Sequence, residues 1–205
     1  MTWRARGDHY YKLAKERGYR SRAVFKLLEA VERFHLIRPG DIVVDLGCAP
    51  GGWLQAASEI VGTDGFVLGI DVKPVKPLGL ENVRVLLLDV MEAEAPERIR
   101  AELPGRADVL LSDMAPSSTG VRELDHARQM GLAERALEVA REVLRPGGRA
   151  LIKASQGAML PAFLKAMRRS FRSSRLFKPK ASRPESSEIY VVGLGFSGPR
   201  RLKKT

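Results

Sequence analysis

Residues 43–53 read VVDLGCAPGGW, and this stretch decides how the rest of the chain is read. Ile42 to Leu46 is a short apolar run of strand character, Gly47 to Gly52 a glycine-rich turn, and Trp53 to Val61 a helix. Glycines let the backbone turn tightly and come close to a ligand. The spacing is G-x-x-x-G-G, which is not the G-x-G-x-x-G of a dinucleotide site. No Lys-Ser or Lys-Thr follows the glycines, so it is not a phosphate loop either. Working outward, the same strand–turn–helix rhythm repeats. Strands are predicted at Phe66 to Asp71, Val83 to Leu88, Asp108 to Ser112, Arg149 to Lys153 and Ile189 to Leu194. Helices are predicted at Pro96 to Leu103, from Asp125 as a cap to near Leu144, and at Leu160 to Phe171. Upstream, Ser21 reads as the cap of a helix from Arg22 to about His35, ended by Pro39-Gly40. Apolar strands alternating with helices predict an α/β protein with a doubly wound, mostly parallel sheet and helices on both faces.

In such sheets ligands gather at the carboxyl ends of the strands, near the point where strand order reverses. There the sequence places the glycine turn, Asp71, Asp89 and Ser112-Asp113-Met114-Ala115-Pro116. An acidic residue ending the second strand suits the two hydroxyls of a ribose, and Asp89 is placed to accept from an adenine amino group. The motifs put no phosphate-anchoring cation beside them. S-adenosylmethionine, with its sulfonium, ribose and adenine, has the matching properties. Taken singly, each aspartate also suits a turn or a helix cap. Lys153 ends a strand after Ala150-Leu151-Ile152, and a lysine desolvated there can serve as a general base. Lys26 alone reads as a snorkelling surface lysine and Glu188 as a strand-edge charge.

The 205 residues, 44% hydrophobic and 29% charged, are enough for one full domain and not for two generous ones. A single cysteine, Cys48, excludes a disulfide framework. With no base beside it in the motif, it reads as a packing residue. No apolar run reaches the ~18 residues that cross a bilayer, and Met1 to Tyr11 has no secretory signal. The expectation is a cytoplasmic monomer that uses no membrane and no metal, since His9, His35 and His126 have no ligand spacing. The expected organisation is one domain over 1–205: a basic extension and first helix to 38, a core over 39–196, and a basic tail over 197–205.

The formal net charge of +11 is segregated. Residues 1–38 carry ten Lys/Arg against four Asp/Glu, residues 39–164 thirteen against eighteen, and residues 165–205 twelve against two. Two basic ends flanking an acidic body are the electrostatic footprint of a nucleic-acid binder. Candidate RNA contacts are Lys12, Lys15, Arg17, Arg20 and Arg22 at one end and Arg168, Arg169, Arg172 and Lys178 at the other. Tyr10, Tyr11 or Tyr19 could stack a splayed base or could simply pack.

The chain from Asp8 to Phe196 resembles the FtsJ-type ribosomal RNA 2′-O-ribose methyltransferases. The segments that carry the resemblance are GYRSRAVFKL (18–27), VVDLGCAPGGW (43–53), SDMAP (112–116), IKASQG (152–157) and SRPESSEIYVV (182–192). The resemblance implies a Rossmann-like fold that uses S-adenosylmethionine, with a seven-stranded sheet whose last strand is antiparallel. The extra strand would lie around Arg175 to Lys178. It also implies a catalytic tetrad on Lys26, Asp113, Lys153 and Glu188, and cofactor contacts at Gly51, Trp53, Asp71, Asp89 and Asp113. The implied reaction is methylation of large-subunit ribosomal RNA at a uridine, with Lys153 as base. Ser155 stands where the family often carries an aromatic residue. GYRSRAVFKL and Tyr10-Tyr11 also resemble the transfer RNA branch, so transfer RNA is the alternative substrate. A non-catalytic RNA-binding ribosome-assembly factor is the reading from another class, and the complete tetrad speaks against it. A nicotinamide-dependent oxidoreductase is disfavoured by the glycine spacing.

Overall fold

The computed structural model describes residues 3–183 and 185–198, with side chains from residue 9 onward. The basic tail beyond Gly198 lies outside the described residues. The helices are α1 (Trp3–Glu16), α2 (Val24–Phe34), α3 (Gly52–Val61), α4 (Ala95–Ala101), α5 (Arg122–Val143) and α6 (Leu160–Ser170). The strands are β1 (Ile42–Leu46), β2 (Phe66–Asp71), β3 (Val83–Leu87), β4 (Ala107–Ser112), β5 (Leu144–Ser155), β6 (Phe171–Phe177) and β7 (Glu188–Phe196). They form one sheet of order β3-β2-β1-β4-β5-β7-β6. The first five strands run parallel, and β7 lies antiparallel between β5 and β6. Order reverses between β1 and β4, which is where the ligand cleft is expected.

Alternation along the strands builds two cores. Val44, Leu46, Leu110 and Ile152 face the core shared with α4, α5 and α6. Val43, Val109, Leu111 and Leu151 face the core shared with α2 and α3. The same parity sets Asp45, Asp113 and Lys153 toward the α2–α3 side. Because β7 runs against β5, it begins where β5 ends: Glu188 pairs with Ser155 and Tyr190 with Lys153. A residue at the start of the last strand therefore reaches the rim formed by the ends of the parallel strands.

Several boundaries differ from expectation. The basic N-terminal stretch is helical over Trp3–Glu16, where the sequence suggested no element. Helix α2 starts at Val24; Ser21 Oγ instead accepts from the Ala23 N–H at 3.1 Å and closes a preceding turn. Helix α5 starts at Arg122, so Asp125 is not its cap. Its carboxylate takes N–H and hydroxyl donors from Thr119 and Ser118, which hold it down to about 2. β6 is longer than expected, reaching back to Phe171.

Candidate active site

The ends of β1 to β4 wall a cleft of about 300 Å³, lined by Gly47, Asp71, Asp89, Asp113 and Met114 among others. Gly47 has φ 80°, and a Cβ on it would come within 2.8 Å of Met114, so the turn closes on β4 only with glycine there. Asp71 accepts from the Ala49 N–H at 2.9 Å and the Lys73 N–H at 2.8 Å. Asp89 accepts from the Met91 N–H at 2.9 Å. Carboxylate oxygens have two lone pairs each, so both residues keep acceptor capacity toward a ligand. Lys73 also lines the cleft, a cation the sequence motifs did not place.

Asp45 lies close to Asp71 and Asp113. It is fully buried, and neither of its oxygens has a hydrogen-bond partner. Burial, with the charges of Asp113 and Asp71, pushes its carboxyl well above the ordinary range. A cleft bordered by Asp71, Asp89 and Asp113 fits a nucleoside that carries positive charge, which S-adenosylmethionine does.

Lys26, Asp113, Lys153 and Glu188 come together at the edge of this cleft, from α2, the end of β4, β5 and β7. The Lys153 ammonium lies 3.0 Å from Asp113 Oδ1 and 3.5 Å from Glu188 Oε2, and donates to the Asp113 carbonyl at 3.2 Å. Lys26 reaches both Glu188 oxygens at 2.8 Å, and Ser182 donates to Oε1 at 2.7 Å. All four side chains are mostly buried, between 12% and 19% exposed. Burial works to raise the Glu188 carboxyl, but the two ammonium charges and the hydrogen bonds from Lys26 and Ser182 outweigh it. The net effect holds the group below its ordinary value.

Tyr190, which the motif reading did not single out, completes the cluster. It is fully buried, its hydroxyl donates to Asp113 Oδ1, and it accepts from Lys26 Nζ at 3.3 Å. Burial and the charges of Asp113 and Glu188 push its phenol well up, so it stays protonated and remains a donor. The signal was in the sequence: Tyr190 is two residues from Glu188, and alternation puts both on one face.

A second cavity, of about 660 Å³, opens on the other side of this cluster. Lys153, Ser155, Glu188, His126 and Pro116 contribute to its wall, and Ala115 lines both cavities. The two cavities therefore adjoin at the Asp113–Lys153 pair. Lys26 lines neither.

Other candidates fall elsewhere. Gly51 and Trp53 do not line the first cleft. Gly51 precedes α3 with φ 108°, and Trp53 is buried on the α2–α3 side. The Trp53 indole donates to the Ala23 carbonyl at 2.8 Å, and its ring lies 6.2 Å from that of Tyr190. Arg20 has a structural role. Its guanidinium is committed to the carbonyls of Pro50, Lys76 and Pro77 at 3.3, 2.5 and 2.6 Å, tying the segment after β2 to the glycine turn. Of the tyrosines, Tyr10 packs on Phe25 at 5.3 Å. Tyr19 donates to Glu59 at 2.7 Å, and its hydroxyl is pushed up to about 12 by burial and that carboxylate. Tyr11 is 61% exposed. Burial, with Asp45 and Asp71 nearby, pushes the Cys48 thiol up, which suits packing and not nucleophilic attack.

The two basic ends do meet at one place. Phe34 of α2 packs on Phe177 at 5.4 Å, and Glu29 accepts from the Lys180 N–H at 2.8 Å. Lys15, Arg168, Arg169 and Arg172 are exposed.

Comparison with known proteins places the chain in a family. The sequence model of the FtsJ-like methyltransferase family matches residues 19–196. A protein of Methanococcus maripaludis strain C5, named ribosomal RNA large subunit methyltransferase E, is 46% identical over 193 residues, covering 94% of this chain and 75% of its own. A protein of that name from Methanothermobacter thermautotrophicus is 43% identical over 204 residues, covering 98% of this chain and 97% of its own. A crystal structure from Plasmodium falciparum, described as of a ribosomal RNA methyltransferase, superposes with TM-score 0.79 at 26% identity. It covers 88% of this chain and 100% of that one.

Proposed function

The chain belongs to the FtsJ-like methyltransferase family, and from that premise we propose that it methylates a ribose 2′-hydroxyl of large-subunit ribosomal RNA, at a uridine, from S-adenosylmethionine. The observation that carries the reading is the placement of Lys153. It stands between an acidic cleft sized for a nucleoside and a larger cavity beside it. The names of the relatives support ribosomal RNA as the substrate. The exposed basic residues of α1, α6 and β6 support a polyanion at the surface.

Asp71 would hold the cofactor's ribose, Asp89 its adenine and Asp113 the methionine side of the sulfonium. When bound, S-adenosylmethionine supplies an electrophilic methyl group on a positively charged sulfur. A ribose hydroxyl is a weak nucleophile at neutral pH and needs a base during attack. Lys153 lines the second cavity, so its neutral amine can take the 2′-hydroxyl proton there. The ammonium that forms is met by Asp113 at 3.0 Å and Glu188 at 3.5 Å. Lys26 is unsuited to the role, because it lines neither cavity and its ammonium is turned to both oxygens of Glu188 at 2.8 Å. It acts instead through Glu188, as the fixed positive charge that holds this carboxylate beside Lys153. Tyr190 holds Asp113 and Lys26 in place. Positioning donor and acceptor across one ion pair supplies much of the acceleration. In this reading residues 1–205 act as one catalytic unit, with basic flanks toward RNA.

The test is transfer of a labelled methyl group to large ribosomal subunits, deproteinised large-subunit RNA and bulk transfer RNA in parallel, followed by digestion to nucleosides. Label in a 2′-O-methyluridine of the ribosomal substrate supports the reading. Label confined to transfer RNA overturns the substrate, and label on a base overturns the reaction.

A further inference from the structure

The second cavity contains a polar arrangement that the tetrad does not use. Ser155 lies two residues beyond Lys153 on β5, about 7 Å along the strand and on the same side of it. It is 5% exposed and lines the cavity. His126, from the first turns of α5, lies 2.6 Å from Ser155 Oγ through Nδ1. Its other nitrogen, Nε2, accepts from the Met159 N–H at 3.2 Å. A backbone N–H is always a donor, so Nε2 is the unprotonated nitrogen of the neutral ring and Nδ1 carries the hydrogen. The imidazole therefore donates to Ser155. The serine oxygen is engaged as an acceptor, and its own O–H is the donor left to point elsewhere. Gly157 makes room for this ring: a Cβ there would come within 2.6 Å of the imidazole.

We propose that His126 is a positioning residue that fixes Ser155 as a hydrogen-bond donor for the nucleobase of the methylated nucleotide. The proposal rests on the functional reading above, since it takes the second cavity as the acceptor site. The spacing supports it. With the 2′-oxygen at Lys153, a donor about 7 Å further along the strand is as far away as the outer edge of the same nucleotide's base. A donor there favours a base edge that offers a carbonyl or ring nitrogen over one that offers an amino group. Val121, Leu124 and Met159 leave apolar surface exposed at the N-terminal end of α5 and on the 156–159 turn, suited to the face of a base.

The experiment uses the full chain, deproteinised large-subunit ribosomal RNA and labelled S-adenosylmethionine. Wild type is compared with Ser155→Ala, His126→Ala, His126→Asn and the Ser155→Ala/His126→Ala double variant. Losing one neutral hydrogen bond should raise KM for RNA, and the dissociation constant of RNA measured by filter binding, about five- to tenfold. kcat at saturating RNA and the cofactor's dissociation constant should stay within about twofold. The double variant should be no worse than Ser155→Ala alone, because one interaction is lost once. His126→Asn, whose amide can donate from the place of Nδ1, should recover most of the loss. Unchanged RNA parameters in Ser155→Ala, losses that multiply in the double variant, or no rescue by asparagine would each overturn the proposal. If wild type transfers no methyl to this RNA or to large ribosomal subunits, the functional reading fails, and the binding constants still decide the role of His126.

Discussion

Replacing Tyr190 by Phe removes one oxygen from the middle of the tetrad and leaves the ring. The hydroxyl donates to Asp113 and accepts from Lys26, so two charged groups lose a partner. Hydrogen bonds to charged groups are worth roughly 1.5–3 kcal/mol. Both partners keep others: Asp113 retains Lys153 at 3.0 Å, and Lys26 retains Glu188 at 2.8 Å. The low half of the range, about 2 kcal/mol, is therefore the appropriate value. If the hydroxyl's task is to hold the tetrad for reaction, that energy appears in the barrier, and kcat falls about 30-fold. If it also stabilises the native state, the melting temperature falls by about 4–8 °C. Methyl-transfer kinetics at saturating RNA and cofactor give the first number, and thermal unfolding gives the second. Asp113 keeps its place through Lys153, so cofactor affinity should change little. A variant with wild-type kcat, whatever its stability, would refute the view that Tyr190 organises the site.

Two further outcomes follow from the contacts around the clefts. Arg20→Ala frees the carbonyls of Pro50, Lys76 and Pro77 and loosens the segment beside Asp71 and Lys73. Cofactor affinity measured by calorimetry should fall several-fold, while RNA affinity should change less, because three guanidinium N–H groups are turned to backbone carbonyls. Glu188 is held below its ordinary carboxylate value of 4.5. Its contribution to stability is thus present above about pH 4.5 and lost as pH falls through the folded-state value. Thermal melts between pH 7 and 3 should show a shallower acid limb for Glu188→Gln than for wild type, and identical limbs would contradict the assignment.

The fold was legible because the central strands β1, β2 and β4 are buried on both faces and read as apolar runs. β1 and β2 match their expected bounds, and β4 and α3 lie within a residue of theirs. What the sequence hid has physical reasons. Helix α1 is polar and basic along its length, so hydrophobic periodicity gives little signal. β6 carries Arg172, Ser173, Ser174 and Arg175 as an edge strand, which reads as loop. The acidic rim was visible from strand ends, since Asp71, Asp89 and Asp113 follow them directly. Lys26 and Glu188 were not readable locally, because their significance comes from a contact across 162 residues; only the resemblance singled them out. Arg20 was assigned to RNA from its charge, whereas its carbonyl partners come from segments 30 to 57 residues away. Tyr190 was not singled out, because an aromatic inside the apolar run of β7 gives no local sign of a polar role.

The central claim is that Lys153 removes the proton from a ribose hydroxyl of bound RNA. Its most direct test is Lys153→Ala against wild type, with labelled S-adenosylmethionine, large ribosomal subunits as acceptor, and cofactor affinity measured on the same preparations. The account predicts that the variant still binds the cofactor and transfers no detectable methyl group, while wild type places its label on a ribose 2′-oxygen. Transfer by the variant at a rate close to wild type would contradict it.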